Sequence, residues 1–253
     1  MSEVTSLGPV LGATLLAVGL LMVLTSAVLA GFRVPHAYAP ALAVVRGAAQ
    51  LAAVSLILGA VITSGTWVAV ALGIMFLVAS ATATHRLGWS WAHLAMVSSS
   101  MAAGIILTLI IIFATGSIEL TSRYALAIGG IVIGNSMTIA ALAGRRFNEA
   151  VIDQWDVVEA WLALGARPRQ ATRDMARHAV ASSLIPSVDQ TKTTGLVTLP
   201  GAFVGAIFGG LSPLEAGRFQ IVVLASIVAA GSVTAVMLVH MLAPVRRQPA
   251  RMS

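Results

Sequence analysis

The sequence contains no cysteine. That excludes disulfides, thiolate metal ligands and cysteine nucleophiles, and leaves the compartment open. Charge is also scarce: 9% of the 253 residues are charged, where a soluble domain carries roughly a quarter. Lys192 is the single lysine, so the net charge of +6 is almost wholly arginine. Aromatic residues make up 6% and are not interleaved with the basic ones, which argues against nucleic acid as a partner. The phosphate-cradling pattern G-x-x-x-x-G-K-[ST] is missing, since Thr191 stands before Lys192 where the pattern needs glycine. The five histidines have no metal-ligand spacing, so no dedicated zinc site is visible and any metal ligand set stays unknown. Nothing in the pattern ties His93 or His240 to Ser136 as the base of an intramembrane serine hydrolase. Methionine is plentiful, with ten residues, and in apolar helices it serves mainly to fill gaps.

What the chain does have is apolar length. It is 58% hydrophobic, with a mean hydropathy of +0.95. Apolar runs lie near 8–31, 41–62, 67–84, 93–115 and 124–143, with less uniform ones near 187–209 and 216–243. At about 20 residues per spanning helix, this predicts an all-α polytopic membrane protein of about seven transmembrane segments, forming a single domain over 1–253. No period of 20–50 residues repeats. The acidic leader MSEVTSLG and the long run 7–32 read as a first span, not as a cleaved signal peptide. Arginines collect on alternate sides: Arg33, Arg86, Arg145, Arg146, Arg167, Arg169, Arg173, Arg177 and the tail Arg246, Arg247 and Arg251 fall together. Glu3, the turn TSGT, Glu119 with Arg123 and Glu215 with Arg218 fall on the other side. The arginine-rich side is expected to be cytoplasmic, which puts the N-terminus outside and the C-terminus in the cytoplasm.

Segment 144–186 is the one sizeable cytoplasmic element. Phe147, Val151, Trp155, Val158 and Leu162 recur every three or four residues and form one helical face; Glu149, Asp153, Asp156 and Glu159 form a polar one. Gly165 suits a helix stop and Pro168 the first turn of a second helix, along which Arg169, Arg173 and Arg177 build a basic ridge. A charged amphipathic helix is commonly a solvated face. The central break favours a docking elbow.

Polar residues within the apolar segments are expensive and face the protein interior. Arg46 and Gln50 share a helix face at i and i+4, although Arg46 also suits snorkelling to the interface. Asn135, beside Gly130 and Gly134, suits an interhelical hydrogen bond at a close helix approach. In SVDQTKTTGLVTLPG, residues 187–201, Ser187 and Gln190 fit a capping box and predict a helix start, with Asp189 and Lys192 within reach of one another. Two readings of that pair stand: a structural ion pair at the interface, or the polar lining of a translocation path. Pro200 and Gly201 should interrupt the helix, making 187–209 a broken or re-entrant segment. Gly201, Gly205 and Gly209 repeat the spacing of tight helix packing, including packing between subunits.

The run SLIPSVDQTKTTGLVTLPGAFVGAIFGGLSPLEAGRFQIVV, residues 183–223, resembles the signature region of the FetB-like (YbbM-like) membrane permeases, which include the plant aluminium-sensitivity permeases. RGAAQL at 46–51, TGSIEL at 115–120, IGNSM at 133–137 and LGARPRQAT at 164–172 are similar to further family patterns. The resemblance implies a multi-pass permease subunit of an ABC transporter in the plasma (inner) membrane. It has no cofactor and no enzymatic activity of its own; ATP and Mg are held by a separate ATP-binding subunit. A homodimer is implied, and the family is linked to iron export and aluminium tolerance. EAWLALGA at 159–166 is similar to the start of the coupling loop of ABC importers but has Trp161 in place of its second alanine. On this reading Glu159, Gly165, Ala166, Arg167 and Pro168 couple to the ATPase, and Arg46, Gln50, Asn135, Asp189, Lys192 and Gln220 line the pathway. The competing readings are an ATP-independent transporter or channel gated by Asp189 and Lys192, and a non-transporting membrane scaffold.

Overall fold

A computed structural model describes residues 2–61 and 64–249, with side chains for 12–56 and 64–249. Thr63 of the expected TSGT turn and Arg251 of the basic tail lie outside the described residues, and the side chain of Glu3 is not described. The chain divides into two compact units, Met1–Val61 and Ile62–Ser253. The first holds α1 (Ser2–Gly31) and α2 (Ala39–Val61), joined by a turn in which Arg33 and His36 adopt positive φ. The second holds α3 (Gly65–Arg86), α4 (Trp91–Ala114), α5 (Ser122–Asp153), α6 (Trp155–Ala163), α7 (Pro168–Ala171), α8 (Arg173–Thr193), α9 (Gly201–Phe208) and α10 (Pro213–Leu242).

The fold is all-α, as the composition demands, and multi-pass. Among the described residues, six helices are long and apolar enough to cross a membrane: α1, α2, α3, α4, α5 and α10. The expected count was about seven, and the difference lies in 187–209. Those residues are not one apolar helix but the end of α8, a connecting stretch and the eight-residue α9.

In the second unit, close approach at isolated glycines sets the packing. A Cβ on Gly104 of α4 would come within 2.5 Å of the Ala230 carbonyl and 2.7 Å of the Thr234 hydroxyl on α10. Gly231 of α10 leaves room for Ile139 of α5, and Gly144 of α5 leaves room for Leu87 at the end of α3. Gly129 of α5 meets Leu72 of α3 at the same residue offset, so α3 and α5 run parallel. Met101, Ile128, Val132 and Leu238 are fully buried between these helices. A second cluster, with Phe147, Val151 and Val158, ties the end of α5 and the start of α6 to α8 and α10. The apolar face expected over 147–162 is therefore real. The helix breaks between Asp153 and Trp155 at Gln154 (φ −116°, ψ 32°), so α6 turns off α5 instead of prolonging it.

Candidate functional site

Segment 155–171 forms an elbow. α6 ends in a Schellman cap: the Gly165 N–H donates to the Leu162 carbonyl and the Ala166 N–H to that of Trp161, both at 3.0 Å. Gly165 takes φ +86°, which a residue without Cβ adopts freely. Pro168 then opens α7, and the Arg167 N–H is received by Gln170 Oε1 at 2.9 Å. Glu159, Gly165 and Arg167 are exposed, with Ala166 and Pro168 half-buried beside them. A groove of about 590 Å³ runs between α6 and the start of α8, lined by Val157, Trp161, Leu164, Ala166, Gln170 and Arg173 among others. Trp161 and Leu164 stand 53% and 81% exposed at its edge. The elbow thus pairs apolar projections with charges of both signs, as a protein-docking surface does.

Between the elbow and the bundle stands Thr172. Its hydroxyl is within bonding distance of the Pro168 carbonyl (3.1 Å) and of the Ala243 carbonyl past the end of α10 (2.9 Å), and the side chain is buried. From there α8 runs back along α10. Leu184 would lie 3.5 Å from a Cβ on Gly231, and the steps from Thr172 to Leu184 and from Ala243 to Gly231 are equal, so the two helices are antiparallel. α9 continues the line, with Phe203 beside Gly217. Together α8 and α9 follow α10 from one end to the other, and 194–200 is the gap between them.

This course revises the reading of 187–201. α8 continues from Arg173 to Thr193 through Pro186, so Ser187 caps nothing; it lies buried in mid-helix. The Ser-Glu capping box of this region is Ser212 with Glu215, at the start of α10. Asp189 and Lys192 sit in the last two turns of α8, their side chains 3.4 Å apart and 58% and 70% exposed. Pro200 caps α9, and the break extends from Thr194 to Pro200, with Gly195 at φ +88°.

α8 divides cleanly by face. Met175, Ala179, Ser183 and Ser187, four residues apart, are buried toward the bundle. Arg173, Arg177, Asp189 and Lys192 are exposed on the other side with Ala181, Ile185 and Pro186 between them, and Gln190 is exposed where the buried row ends. Since α8 lies along a spanning helix, the far end of this face sits at membrane depth. A charged side chain facing hydrocarbon costs about 2.5–3.5 kcal/mol even on the mildest scales. That end of the face therefore meets water or protein, not lipid.

Gln220 adds to this stretch. By the α8–α9 register it lies on α10 at the height of the break. It is 5% exposed, and its Oε1 has no hydrogen-bond partner. Ser80 and Ser136 also bury hydroxyls without a partner; the α3–α5 register puts them at nearly the same height. Asp189 and Lys192 thus stand on the exposed face of α8, and Gln220 is buried on α10 at a neighbouring height. Asn135 lies elsewhere on α5 and forms no interhelical bond through its Nδ2, which donates to the Ile131 carbonyl of its own helix at 2.9 Å. Arg46 and Gln50 are exposed on α2 in the first unit. Gly201 and Gly205 have no atom within 4 Å of a would-be Cβ, so their packing surface is open. Sequence reasoning missed the seam of Ser183 and Ser187 and the anchor at Thr172. The four-residue spacing from Met175 to Ser187 was the available signal for the seam. Among the described residues, no group of three His, Asp or Glu could hold a metal ion.

The helices and the polar seam define a multi-pass, all-α membrane protein. The chain belongs to the uncharacterised protein family UPF0014, whose model matches residues 13–245. It is 36% identical over 206 residues to "UPF0014 membrane protein STAR2" of Oryza sativa subsp. japonica, covering 80% of this chain and 72% of that one. It is 37% identical over 170 residues to "Protein ALUMINUM SENSITIVE 3" of Arabidopsis thaliana, covering 67% and 62%. To "Probable iron export permease protein FetB" of Escherichia coli (strain K12) it is 37% identical over 127 residues, covering 50% and 48%. No solved structure matches the chain.

Proposed function

We propose that this chain is the membrane-spanning permease subunit of an ATP-driven ABC transporter of the plasma (inner) membrane, exporting iron-like metal ions or a related small solute. One observation carries the reading: a helix that exposes charged side chains at its far end lies along a membrane span and breaks at the height of a buried glutamine whose Oε1 has no partner. Non-helical backbone at membrane depth is tolerated where it lines a cavity, and broken helices of this kind hold transport sites. The name of the Escherichia coli relative, a probable iron export permease, supports the substrate class. ATP and Mg belong to a separate ATP-binding subunit, and two copies of this chain form the transporter.

On this reading the elbow around Gly165 engages the ATPase. Thr172 transmits its movement to α8, and the exposed end of α8 with Gln220 forms the path. The test is reconstitution of the chain, with and without its ATP-binding subunit, in liposomes loaded with ferrous iron. ATP-dependent flux that needs both proteins is the expected result. Equal flux from the chain alone would instead mark an ATP-independent transporter or channel.

A further inference from the structure

We propose that the exposed face of α8 is a self-complementary interface, on which Asp189 of one copy pairs with Lys192 of the partner subunit. The inference rests on the two-copy transporter proposed above and names the surface that joins the copies. Three features carry it. First, the end of this face lies at membrane depth and carries full charges, so lipid cannot cover it without a large penalty. Second, its charges are self-complementary. All copies insert with the same orientation, so the twofold axis runs along the membrane normal and corresponding heights of the two α8 helices meet. An isologous contact then sets residue i against j and j against i. Asp189 and Lys192 are one turn apart on a shared face, so Asp189 of each copy falls within reach of Lys192 of the partner subunit. Within one chain the pair is loose, at 3.4 Å with both groups largely exposed. Third, the adjoining α9 buries none of its residues, and Gly201 and Gly205 offer a smooth face with nothing within 4 Å. Charged seam and open glycines together form a contact with lipid-free walls, and the path beside Gln220 is closed only when the second copy is present.

The chain has no cysteine, so single thiols can be introduced without background. Ile185→Cys places one on the face of Asp189 and Lys192, four and seven residues before them, at a residue 54% exposed; Ile110→Cys places one on α4, at an apolar residue 58% exposed. Oxidation of native membranes should cross-link the Ile185→Cys chain into dimers and leave the Ile110→Cys chain monomeric. Charge reversal supplies the second arm, with two differently tagged copies. Copies carrying Asp189→Lys, or copies carrying Lys192→Asp, should each self-associate roughly a hundredfold or more weakly, the scale of a buried charge left unpaired. Co-expressed, the two should recover pairing and co-purify. The double variant, with the pair inverted within one chain, controls for folding and should dimerise as the parent does. No cross-link at Ile185, equal cross-links at both positions, or no rescue by co-expression overturns the proposal. None of these readings uses ATP or flux. Failure of the transport reading would appear as absent ATP-dependent flux with the cross-link intact.

Discussion

The hydroxyl of Thr172 lies 2.9 Å from the carbonyl of Ala243, a buried contact across 71 positions of sequence. It joins the residue between α7 and α8 to the C-cap of α10. Replacing Thr172 by Val keeps the volume and removes this link, while the Ala243 carbonyl keeps the Val245 N–H at 2.8 Å. Loss of one such hydrogen bond costs about 0.5–1.5 kcal/mol. Thermal unfolding in detergent should show Thr172→Val less stable by that amount, with Thr172→Ser recovering most of the loss.

Two glycines should respond oppositely to the same substitution. Gly104→Ala drives a Cβ against the Ala230 carbonyl, and overpacking of this kind costs typically about 1–3 kcal/mol. Gly134→Ala on α5 meets nothing within 4 Å and replaces glycine by the best helix former. It should be neutral or stabilise by up to about 1 kcal/mol. Parallel melts of the two variants check the contrast.

Gln220→Leu separates structure from transport. The Oε1 of Gln220 is buried without a partner, so an apolar residue of similar size should leave stability unchanged or raised. If the amide lines the path, flux by the reconstituted pair should fall roughly tenfold while the melt does not, as for the loss of about 1.4 kcal/mol of binding. Flux equal to the parent's would remove Gln220 from the path.

Gly165→Ala tests the elbow. The site is open, with nothing within 4 Å, but φ is +86°, and a Cβ there costs about 1–2 kcal/mol. The bundle does not depend on this residue, so the chain should still insert and pass through gel filtration unchanged. Stimulation of the ATP-binding subunit should fall, as measured by phosphate release. Full stimulation would exclude this turn from coupling.

The spans were readable because lipid-facing helices need apolar composition more than pattern, and α3, α4 and α10 lie near the runs read from composition. The Gly165 stop was equally plain, since glycine past a helical face marks a cap. The start of the broken segment was not. Pro186 reads as a boundary and Ser187–Gln190 as a cap, yet α8 continues through both because Ser183 and Ser187 are buried against neighbouring helices. Tertiary packing overrides local propensity there. Glycine spacing misled in a similar way. Gly201, Gly205 and Gly209 repeat every four residues and touch no other helix, whereas Gly104, Gly129, Gly144 and Gly231, with no such spacing, make the close contacts. Which surface a small residue meets depends on helices distant in sequence, and one sequence does not record that.

The anchor at Thr172 and the break after Thr193 together make α8 a lever. Its 21 residues span about 31 Å at the rise of an α-helix. One end is pinned to α10; the other leads into non-helical backbone. Each degree of tilt about the pinned end would carry Lys192 by about 0.5 Å, on the arithmetic of that length. Because Met175, Ala179, Ser183 and Ser187 are buried along its length, such a tilt would be carried into the helices packed against it.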